Sequence, residues 1–511
     1  MQFKSVLFPN DDLQVAPKQR DAPDFFHDLN LDQVVEGITA GFEEYDLLPF
    51  FFTSLSNPDV IAYRQEVMHD LETMFLMGSI ESFSQRMRAM RRQREFAGDL
   101  DYKHEKARWF LSAVQVYCEA LAILSRDLSS VELQSRGMQA AREYVTELAG
   151  SASFGRLREE AESVAAGLAS IRYCLLIKGT KVTVLPYEGE GDYASAVEAA
   201  FAKFRRRVAK DYRVKIPEHW RLNYVDAQVL EGVARLNPEA FEALDAFVVN
   251  HSGYLDPAIA RFDREIQFHV AYLKYIEKLR RGGLSFCYPR VSGLTKTIAV
   301  SDSFDLALAS KLESENDSVV VNDFYLIGEE RVFVVSGPND GGKTTFARMF
   351  GQLHFLASLG CAVPGTYAQL FLFDQILVHF ERQEDITNLR GKLNDDLVRL
   401  REILDQATPE SIVIMNEIFA STILKDALFL SRKVMARISE LDLLAVSVTF
   451  LDELALFDEK TVSMVSMVDP HDPAIRTYKL ERRPADGLAF ALAIAEKHGM
   501  TYEQITERIR V

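Results

Sequence analysis

The hydrophobic positions divide the chain into two kinds of pattern. Between about residues 31 and 170, apolar residues recur at the spacing of amphipathic helices, and few helix breakers interrupt them. Beyond about residue 290, short apolar runs alternate with helical stretches, which is typical of a parallel α/β sheet. The pattern therefore predicts a mainly α-helical region that is followed by an α/β region.

Shorter patterns set the predicted boundaries. Residues 171–177 and 181–187 predict two strands of a small β-hairpin, and residues 289–296 have the character of a linker. We therefore expect residues 1–30 to lie over the surface, residues 31–290 to form a helical domain and residues 291–511 to form an α/β domain. Within the α/β domain, strands are predicted at 332–335, 411–415 and 443–448, and helices are predicted at 392–404 and 425–441.

Composition narrows the class of protein. The 511 residues carry a net charge of −17, so contact with nucleic acid would require a local basic patch. Four cysteines, Cys118, Cys174, Cys287 and Cys361, lie far apart, which argues against a disulfide framework and suits a reducing compartment. Because neither a signal peptide nor a membrane-spanning run is apparent, the sequence predicts a cytoplasmic protein.

A phosphate-binding motif follows the first predicted strand of the α/β domain. Residues 337–344 fit G-x-x-x-x-G-K-[ST], in which glycines let backbone N–H groups turn toward a phosphate. An amphipathic helix follows the loop, and this context makes a chance match to a glycine-rich turn less favoured. The predicted ATP-binding residues are Gly337, Pro338, Asn339, Asp340, Gly341, Gly342, Lys343, Thr344 and Thr345.

A second polar pair follows the strand predicted at 411–415. A nucleotide hydrolase needs a carboxylate at this position, and Glu417 is the candidate that activates the attacking water. The alternative is that Glu417 only caps the next helix. Asn416 and Thr344 are the candidates for contact with Mg²⁺, partly through water. Since asparagine lacks the charge of aspartate, we expect weaker Mg²⁺ dependence or slower turnover.

Two basic clusters are candidates for DNA contact. They consist of Arg86, Arg88, Arg91, Arg92 and Arg94 in the first cluster, and of Lys203, Arg205, Arg206 and Arg207 in the second. A charge run of this kind is usually the solvated face of a helix, and contact with phosphate is the alternative.

The loop has a more specific form than the general motif. Residues 337–344 read Gly-Pro-Asn-Asp-Gly-Gly-Lys-Thr and resemble the MutS form, G-P-N-x-G-G-K-[ST]. Residues 359–364 and 486–491 are similar to later segments of that family, and residues 57–67 resemble the opening of its core domain. The resemblance is strong over residues 315–511 and diffuse over residues 30–310.

The resemblance implies an ABC-type ATPase dimer of P-loop fold, with helical levers and a clamp that nucleotide closes around DNA. Asn416 stands where the family has aspartate, and Phe450 stands where it has histidine. The family's serine-bearing loop corresponds to residues 391–394, which lack the serine. These departures imply slow hydrolysis. The expected absence of an N-terminal mismatch-reading domain argues against classical mismatch recognition.

Three hypotheses follow. The first is a homodimeric ATP- and Mg²⁺-binding protein that acts as a nucleotide-gated clamp on branched or distorted DNA in repair or recombination. The second is a nucleotide-switched dimeric scaffold for protein partners without a direct DNA role, which the acidic net charge favours. The third, an ABC ATPase of a transporter or chromosome-maintenance type, lacks support because no Leu-Ser-Gly-Gly-Gln-like signature is present.

Overall fold

The fold was analysed in a computed structural model. It describes residues 3–10, 21–190, 221–315, 317–381, 392–469, 471–472, 475–485, 500–502 and 505–506. The chain forms two compact units. Unit 1 comprises residues 1–3, 73–133 and 139–263, and unit 2 comprises residues 4–72, 134–138 and 264–511.

The helices of the described residues are, in chain order, α1 (Phe25–Asp28), α2 (Leu31–Thr39), α3 (Leu48–Phe52), α4 (Pro58–Leu71), α5 (Met74–Gly98), α6 (Lys103–Ser129), α7 (Arg136–Ala149), α8 (Ala152–Ala169), α9 (Tyr224–Leu236), α10 (Pro238–Asn250), α11 (Pro257–Arg281), α12 (Leu306–Ser314), α13 (Lys343–Ser358), α14 (Lys392–Gln406) and α15 (Leu424–Leu441).

The strands of the described residues are β1 (Tyr173–Lys178), β2 (Lys181–Pro186), β3 (Phe286–Cys287), β4 (Arg290–Ser292), β5 (Ile298–Ser303), β6 (Asn322–Leu326), β7 (Val332–Ser336), β8 (Val363–Pro364), β9 (Tyr367–Phe371), β10 (Ile376–His379), β11 (Ile412–Asn416), β12 (Leu444–Val448), β13 (Thr461–Val468) and β14 (Arg476–Arg482).

Unit 1 is built around the long helices α5 and α6, which pack along each other. Apolar residues that recur every three or four positions, such as Ile80, Phe83 and Met87 of α5, are buried, as the spacing predicts. By length and composition, α6 could also cross a membrane, but half of its apolar window is buried inside the protein. The core helix of a globular protein passes the same test.

The hairpin β1–β2 of unit 1 is antiparallel, with Lys178 paired to Lys181 at its turn. Val184 of β2 packs against α9 at Gly232, where a Cβ atom would lie only 2.8 Å from a Val184 methyl group. The tip is open to solvent, and Ile177 remains 67% exposed. The structure confirms the hairpin that the sequence predicts.

Unit 2 contains a six-stranded sheet in the order β10-β11-β12-β7-β13-β14. Its strands are parallel except for β14, which pairs antiparallel with β13. Every residue of β7 and β12 is buried, which explains why these strands are continuous apolar runs. The observed strands and helices lie within two residues of the predicted ones.

Helix α13 is buried along most of its length. Gly351 lets it approach the sheet closely, since a Cβ atom there would lie 2.6 Å from Leu29 and 2.8 Å from Ile414. The buried Gln352 side chain donates hydrogen bonds to the Leu29 carbonyl oxygen and to Asp305, each at 2.9 Å. The helix that follows the phosphate loop is thus fixed by packing and by buried hydrogen bonds.

The predicted linker at residues 289–296 and the predicted surface segment at residues 1–30 both differ from the structure. Residues 289–296, predicted as a linker, contain β4, which pairs with β9 in a second sheet of order β4-β9-β5-β6. The surface location predicted for residues 1–30 is wrong for several of the described residues, because Val6, Leu7 and Leu29 are fully buried. Glu265 accepts hydrogen bonds from the Ser5 hydroxyl and the Val6 N–H, so polar groups of this segment are satisfied inside the unit.

Candidate nucleotide-binding site

The loop between β7 and α13 turns sharply at the C-terminal end of the central strand. Gly337 and Gly342 have φ angles of 115° and 91°, which favour glycine, and Asp340 lies in the left-handed region at 57°. The loop ends at the N-terminus of α13, where unpaired N–H groups and the positive end of the helix dipole favour an anion.

Strand β13 packs against this loop through Ser466. The Ser466 hydroxyl donates a hydrogen bond to the Gly341 carbonyl oxygen. A Cβ atom at Gly341 would lie 2.2 Å from that hydroxyl oxygen, and one at Gly337 would lie 3.0 Å from the Ser466 carbonyl oxygen. Close packing therefore favours glycine at both positions, and at Gly337 the positive φ angle favours it as well.

Lys343 is buried and reaches back over the loop. Its ammonium donates to the carbonyl oxygens of Gly337 at 2.9 Å and Pro338 at 3.1 Å, and to the side-chain oxygen of Asn339 at 3.3 Å. Burial lowers the pKa of Lys343 below its ordinary value, whereas the nearby carboxylates of Glu417 and Asp340 oppose that decrease. The cation is thus held where a phosphate could bind.

The second polar pair lies beside the loop. Parallel pairing places the end of β11 next to β12, which neighbours β7. The Thr344 hydroxyl donates a 3.0 Å hydrogen bond to the side-chain oxygen of Asn416. Glu417 follows immediately, and its N–H donates to the Val448 carbonyl oxygen at 2.9 Å. Thr344, Asn416 and Glu417 therefore belong to one site.

The turn after β11 has an unusual backbone. Glu417 and Phe419 both have positive φ angles, 53° and 60°. Residues other than glycine pay about 1–3 kcal/mol for such conformations, which cluster at functional sites. This turn directs the half-buried Glu417 toward the loop rather than along α15.

A cavity of about 750 Å³ opens in front of these residues. The loop and Glu417 contribute polar groups to its lining, and the apolar lining residues include Phe304, Leu308, Leu312, Val319, Val320 and Met349. The volume lies within the range of small-molecule and cofactor sites, and the mixed lining suits a molecule with an apolar ring and a charged tail.

Thr344 and Asn416 are the residues that could hold Mg²⁺. Thr344 and Asn416 offer a hydroxyl and an amide oxygen side by side, and Mg²⁺ prefers oxygen ligands. The described residues contain no group of three or more His, Cys, Asp or Glu side chains arranged for a metal. The pair therefore fits a cation that takes most of its ligands from phosphate and water.

Two residues that contact the loop, Ser466 and Arg476, were not anticipated from the sequence. Besides Ser466, Arg476 of β14 donates from its Nε to the Asn339 carbonyl oxygen at 3.0 Å. The Asn322 side chain joins β6 to β14, accepting from the Leu480 N–H at 2.7 Å and donating to the Tyr478 carbonyl oxygen at 3.2 Å. No local motif marks Ser466 or Arg476, because each lies more than 120 positions from its partner.

The remaining candidates are not all placed by the structure. Phe450 follows β12 and is 48% exposed. The second basic cluster and Gly391 lie outside the described residues. In the first cluster, on α5, Arg86 contacts Glu119 and Ser82, and Arg91 contacts Asp263, whereas Arg92 and Arg94 are exposed.

Comparison with known proteins adds an independent finding. The family model of MutS domain V matches residues 333–508. DNA mismatch repair protein MutS 2 of Halobacterium salinarum is 30% identical over 183 residues, which are 36% of this chain and 20% of that protein. DNA mismatch repair protein MutS of Petrotoga mobilis is 23% identical over 321 residues, or 59% of this chain and 38% of that protein.

A eukaryotic relative, DNA mismatch repair protein MSH3 of Yarrowia lipolytica, is 31% identical over 152 residues, which are 29% of this chain and 15% of that protein. The matches thus span well under half the length of these relatives. They agree with the loop, the parallel sheet and the polar pair described above, since MutS domain V is an ATPase domain of P-loop fold. These matches therefore support a MutS-family protein, in which residues 333–508 correspond to domain V.

Proposed function

We propose that this chain binds ATP with Mg²⁺, hydrolyses it slowly and uses nucleotide to gate its grip on branched or distorted DNA during repair or recombination. The observation that supports the nucleotide site most directly is that Thr344 and Glu417 line one cavity together with the phosphate loop, and that Asn416 is hydrogen-bonded to Thr344. The apolar residues of the lining would contact the base, and the loop would bind the phosphates.

Each residue has a role that follows from its position. The N–H groups of the loop and of the first turn of α13 would bind phosphate oxygens, and Lys343 would exchange its bonds to loop carbonyls for bonds to phosphate. Thr344 and Asn416 would hold Mg²⁺, which neutralises phosphate charge when bound. Glu417 would orient the attacking water and accept its proton.

Slow turnover is proposed from the same residues. Asn416 contributes no negative charge to the cation, and the exposed Phe450 ring has no group that can donate or accept a proton. Hydrolysis would therefore depend on Glu417 alone among the residues named at this edge of the sheet.

Replacement of Glu417 tests the catalytic proposal. Glu417→Gln keeps the shape of the side chain but removes the base, so we expect turnover to fall at least 100-fold while ATP binding changes little. Phosphate release and binding of a fluorescent ATP analogue would measure the two effects. Glu440→Gln, an exposed carboxylate on α15, is the matched control. Unchanged turnover in Glu417→Gln would show that another group is the base.

DNA binding is supported by the similarity to DNA mismatch repair proteins and by the exposed Arg92 and Arg94 on α5. The test compares branched and linear duplex DNA over a range of salt concentrations, with and without ATP. We expect Arg92→Ala together with Arg94→Ala to weaken binding to both forms and to reduce the salt slope by about 1–2. Equal affinity for branched and linear DNA in both nucleotide states would contradict the clamp.

A homodimer is supported by the surface next to Glu417. Ile423, Leu424 and Phe429 of the segment that begins α15 are each more than 60% exposed, and Phe450, which follows the neighbouring strand β12, is 48% exposed. Large apolar side chains that remain exposed suit burial against a second copy. Light scattering of Glu417→Gln with and without ATP would test this, and a monomer under both conditions would contradict it.

The scaffold hypothesis remains a second candidate, because the net charge is −17 and because Arg86 and Arg91 already contact acidic side chains. ATP-dependent dimerisation without DNA binding at low salt would favour the scaffold. If DNA binding is lost when Arg92 and Arg94 are neutralised, the result would favour the clamp.

A further inference from the structure

The phosphate loop carries an acidic residue at the mouth of the cavity. Asp340 is exposed, has a φ angle of 57° and lines the cavity together with Lys343 and Thr344. Aspartate tolerates this left-handed conformation better than most residues, so Asp340 can occupy this position with little backbone strain. A carboxylate is unexpected here, since the rest of the loop is arranged to attract an anion.

The charged groups near Asp340 indicate how this residue could affect the binding of a polyphosphate. Lys343 is the cation nearest to the proposed phosphates, and the Asp340 carboxylate is close enough to influence its pKa. Glu417 adds another carboxylate to the same cavity, whereas Asn416 beside Thr344 is neutral. Four carboxylates line the cavity, those of Asp305, Asp317, Asp340 and Glu417. Asp340 and Glu417 are the two that act on Lys343, so a free polyphosphate at the loop meets both of them in addition to the attractive ammonium and N–H groups.

Electrostatics then separates two forms of the nucleotide. Repulsion between a carboxylate and a phosphate at the same loop is only partly screened by salt, because the Debye length is about 8 Å at physiological ionic strength. A divalent cation on the phosphates reduces this repulsion, because the complex carries two fewer negative charges. Asp340 should thus disfavour the free nucleotide more than the complex.

We propose that Asp340 is a specificity-determining residue that restricts the site to nucleotide complexed with a divalent cation. In this role the carboxylate excludes free polyphosphates and inorganic polyanions, and it partly replaces the negative charge that Asn416 lacks. The inference rests on the proposed ATP binding and concerns which form of the nucleotide the loop accepts.

The test is an affinity measurement that does not depend on hydrolysis. A fluorescent ATP analogue is titrated into the full chain with excess Mg²⁺ and again with EDTA, for wild type, Asp340→Asn and Asp317→Asn. Asparagine keeps the size and the left-handed φ angle of Asp340, removes the charge and replaces one oxygen by an NH2 group. Asp317 lines the same cavity outside the loop, so Asp317→Asn is a control with the same change in net charge.

The expected result is a difference between ratios. Withdrawal of Mg²⁺ should weaken binding to wild type and to Asp317→Asn about tenfold more than it weakens binding to Asp340→Asn. Equal Mg²⁺ dependence in wild type and Asp340→Asn would overturn the inference while leaving ATP binding intact. A folded wild-type chain that binds no analogue even with Mg²⁺ would overturn the proposed function itself. Matching melting temperatures without nucleotide would show that all three proteins are folded.

Discussion

At the scale of single residues, the phosphate loop is held by Ser466 and Arg476, which are distant from it in the sequence. Local spacing predicts the loop itself but not these two contacts. The glycines and Lys343 are adjacent in sequence, and the strand before Asn416 places the polar pair at the same edge of the sheet. Ser466 and Arg476 contact the loop from β13 and β14, so only the folded sheet brings them there. The left-handed conformation of Glu417 likewise has no signature in one sequence.

Removal of the Lys343 ammonium should abolish high-affinity nucleotide binding. In Lys343→Ala the loop keeps its N–H groups but loses its buried cation, so we expect the affinity for ATP to fall at least 100-fold. Isothermal titration calorimetry would measure it, with Lys425→Ala, an exposed lysine of α15, as control. Retention of wild-type affinity in Lys343→Ala would contradict the proposed site.

Restoration of a carboxylate at position 416 should increase turnover. The Thr344 hydroxyl can donate its hydrogen bond to aspartate as well as to asparagine, so Asn416→Asp preserves the contact and adds a charge for Mg²⁺. We expect a severalfold rise in turnover at limiting Mg²⁺, measured as phosphate release. A fall in turnover, with nucleotide binding intact, would show that the neutral amide is itself required.

At the scale of elements, the sequence predicted long apolar runs well and short irregular strands poorly. Runs such as β7 and β12 are buried on both faces and therefore lack polar interruptions. Strand β4 has only three residues, and Arg290 among them is exposed, so its sequence resembles a linker. Only its pairing with β9 identifies it as a strand. Val6 and Leu7 are buried, and the Val6 N–H is satisfied by Glu265, which no local pattern could associate with it.

The end of α13 provides a prediction about an element boundary. Gly360 has a φ angle of 79°, and a Cβ atom there would lie 3.0 Å from the Ile61 carbonyl oxygen and 2.7 Å from the Arg64 Cβ atom. We therefore expect Gly360→Ala to lower the free energy of unfolding by about 2–4 kcal/mol, measured by chemical denaturation. Gly328→Ala has a similar positive φ angle but open space, so it should cost only about 1 kcal/mol. Equal losses would show that the close contacts relax.

At the scale of the whole molecule, one carboxylate makes stability sensitive to acid. Asp442 is surrounded by Lys460 at 2.7 Å, Arg331 at 3.1 Å and Lys296 at 3.3 Å, which come from three other segments of unit 2. Burial alone would raise the pKa of Asp442, but hydrogen bonds from Lys460 and Lys296 and the charge of Arg331 outweigh it and lower the pKa to about 2.

A carboxylate whose pKa is lowered by folding stabilises the protein above its ordinary pKa and loses that effect as the pH falls toward the folded value. The contribution of Asp442 should thus be complete above about pH 4 and disappear toward about pH 2. We expect Asp442→Asn to be about 1–2 kcal/mol less stable than wild type at neutral pH, after allowance for solvent screening, with the gap closing in acid. Denaturant titrations monitored by circular dichroism would measure it, and a gap that does not change with pH would contradict the assignment.

The burial of α13 has a consequence for amide hydrogen exchange. Its N–H groups are shielded by Leu29, Ile414 and the surrounding core, so deuterium can enter most of the helix only when unit 2 opens widely. A ligand that binds only the folded loop would raise the cost of that opening by RT ln(1 + [L]/Kd). Peptides from residues 346–358 should then report nucleotide occupancy by slower deuterium uptake, although none of these residues beyond Phe346 and Met349 lines the cavity.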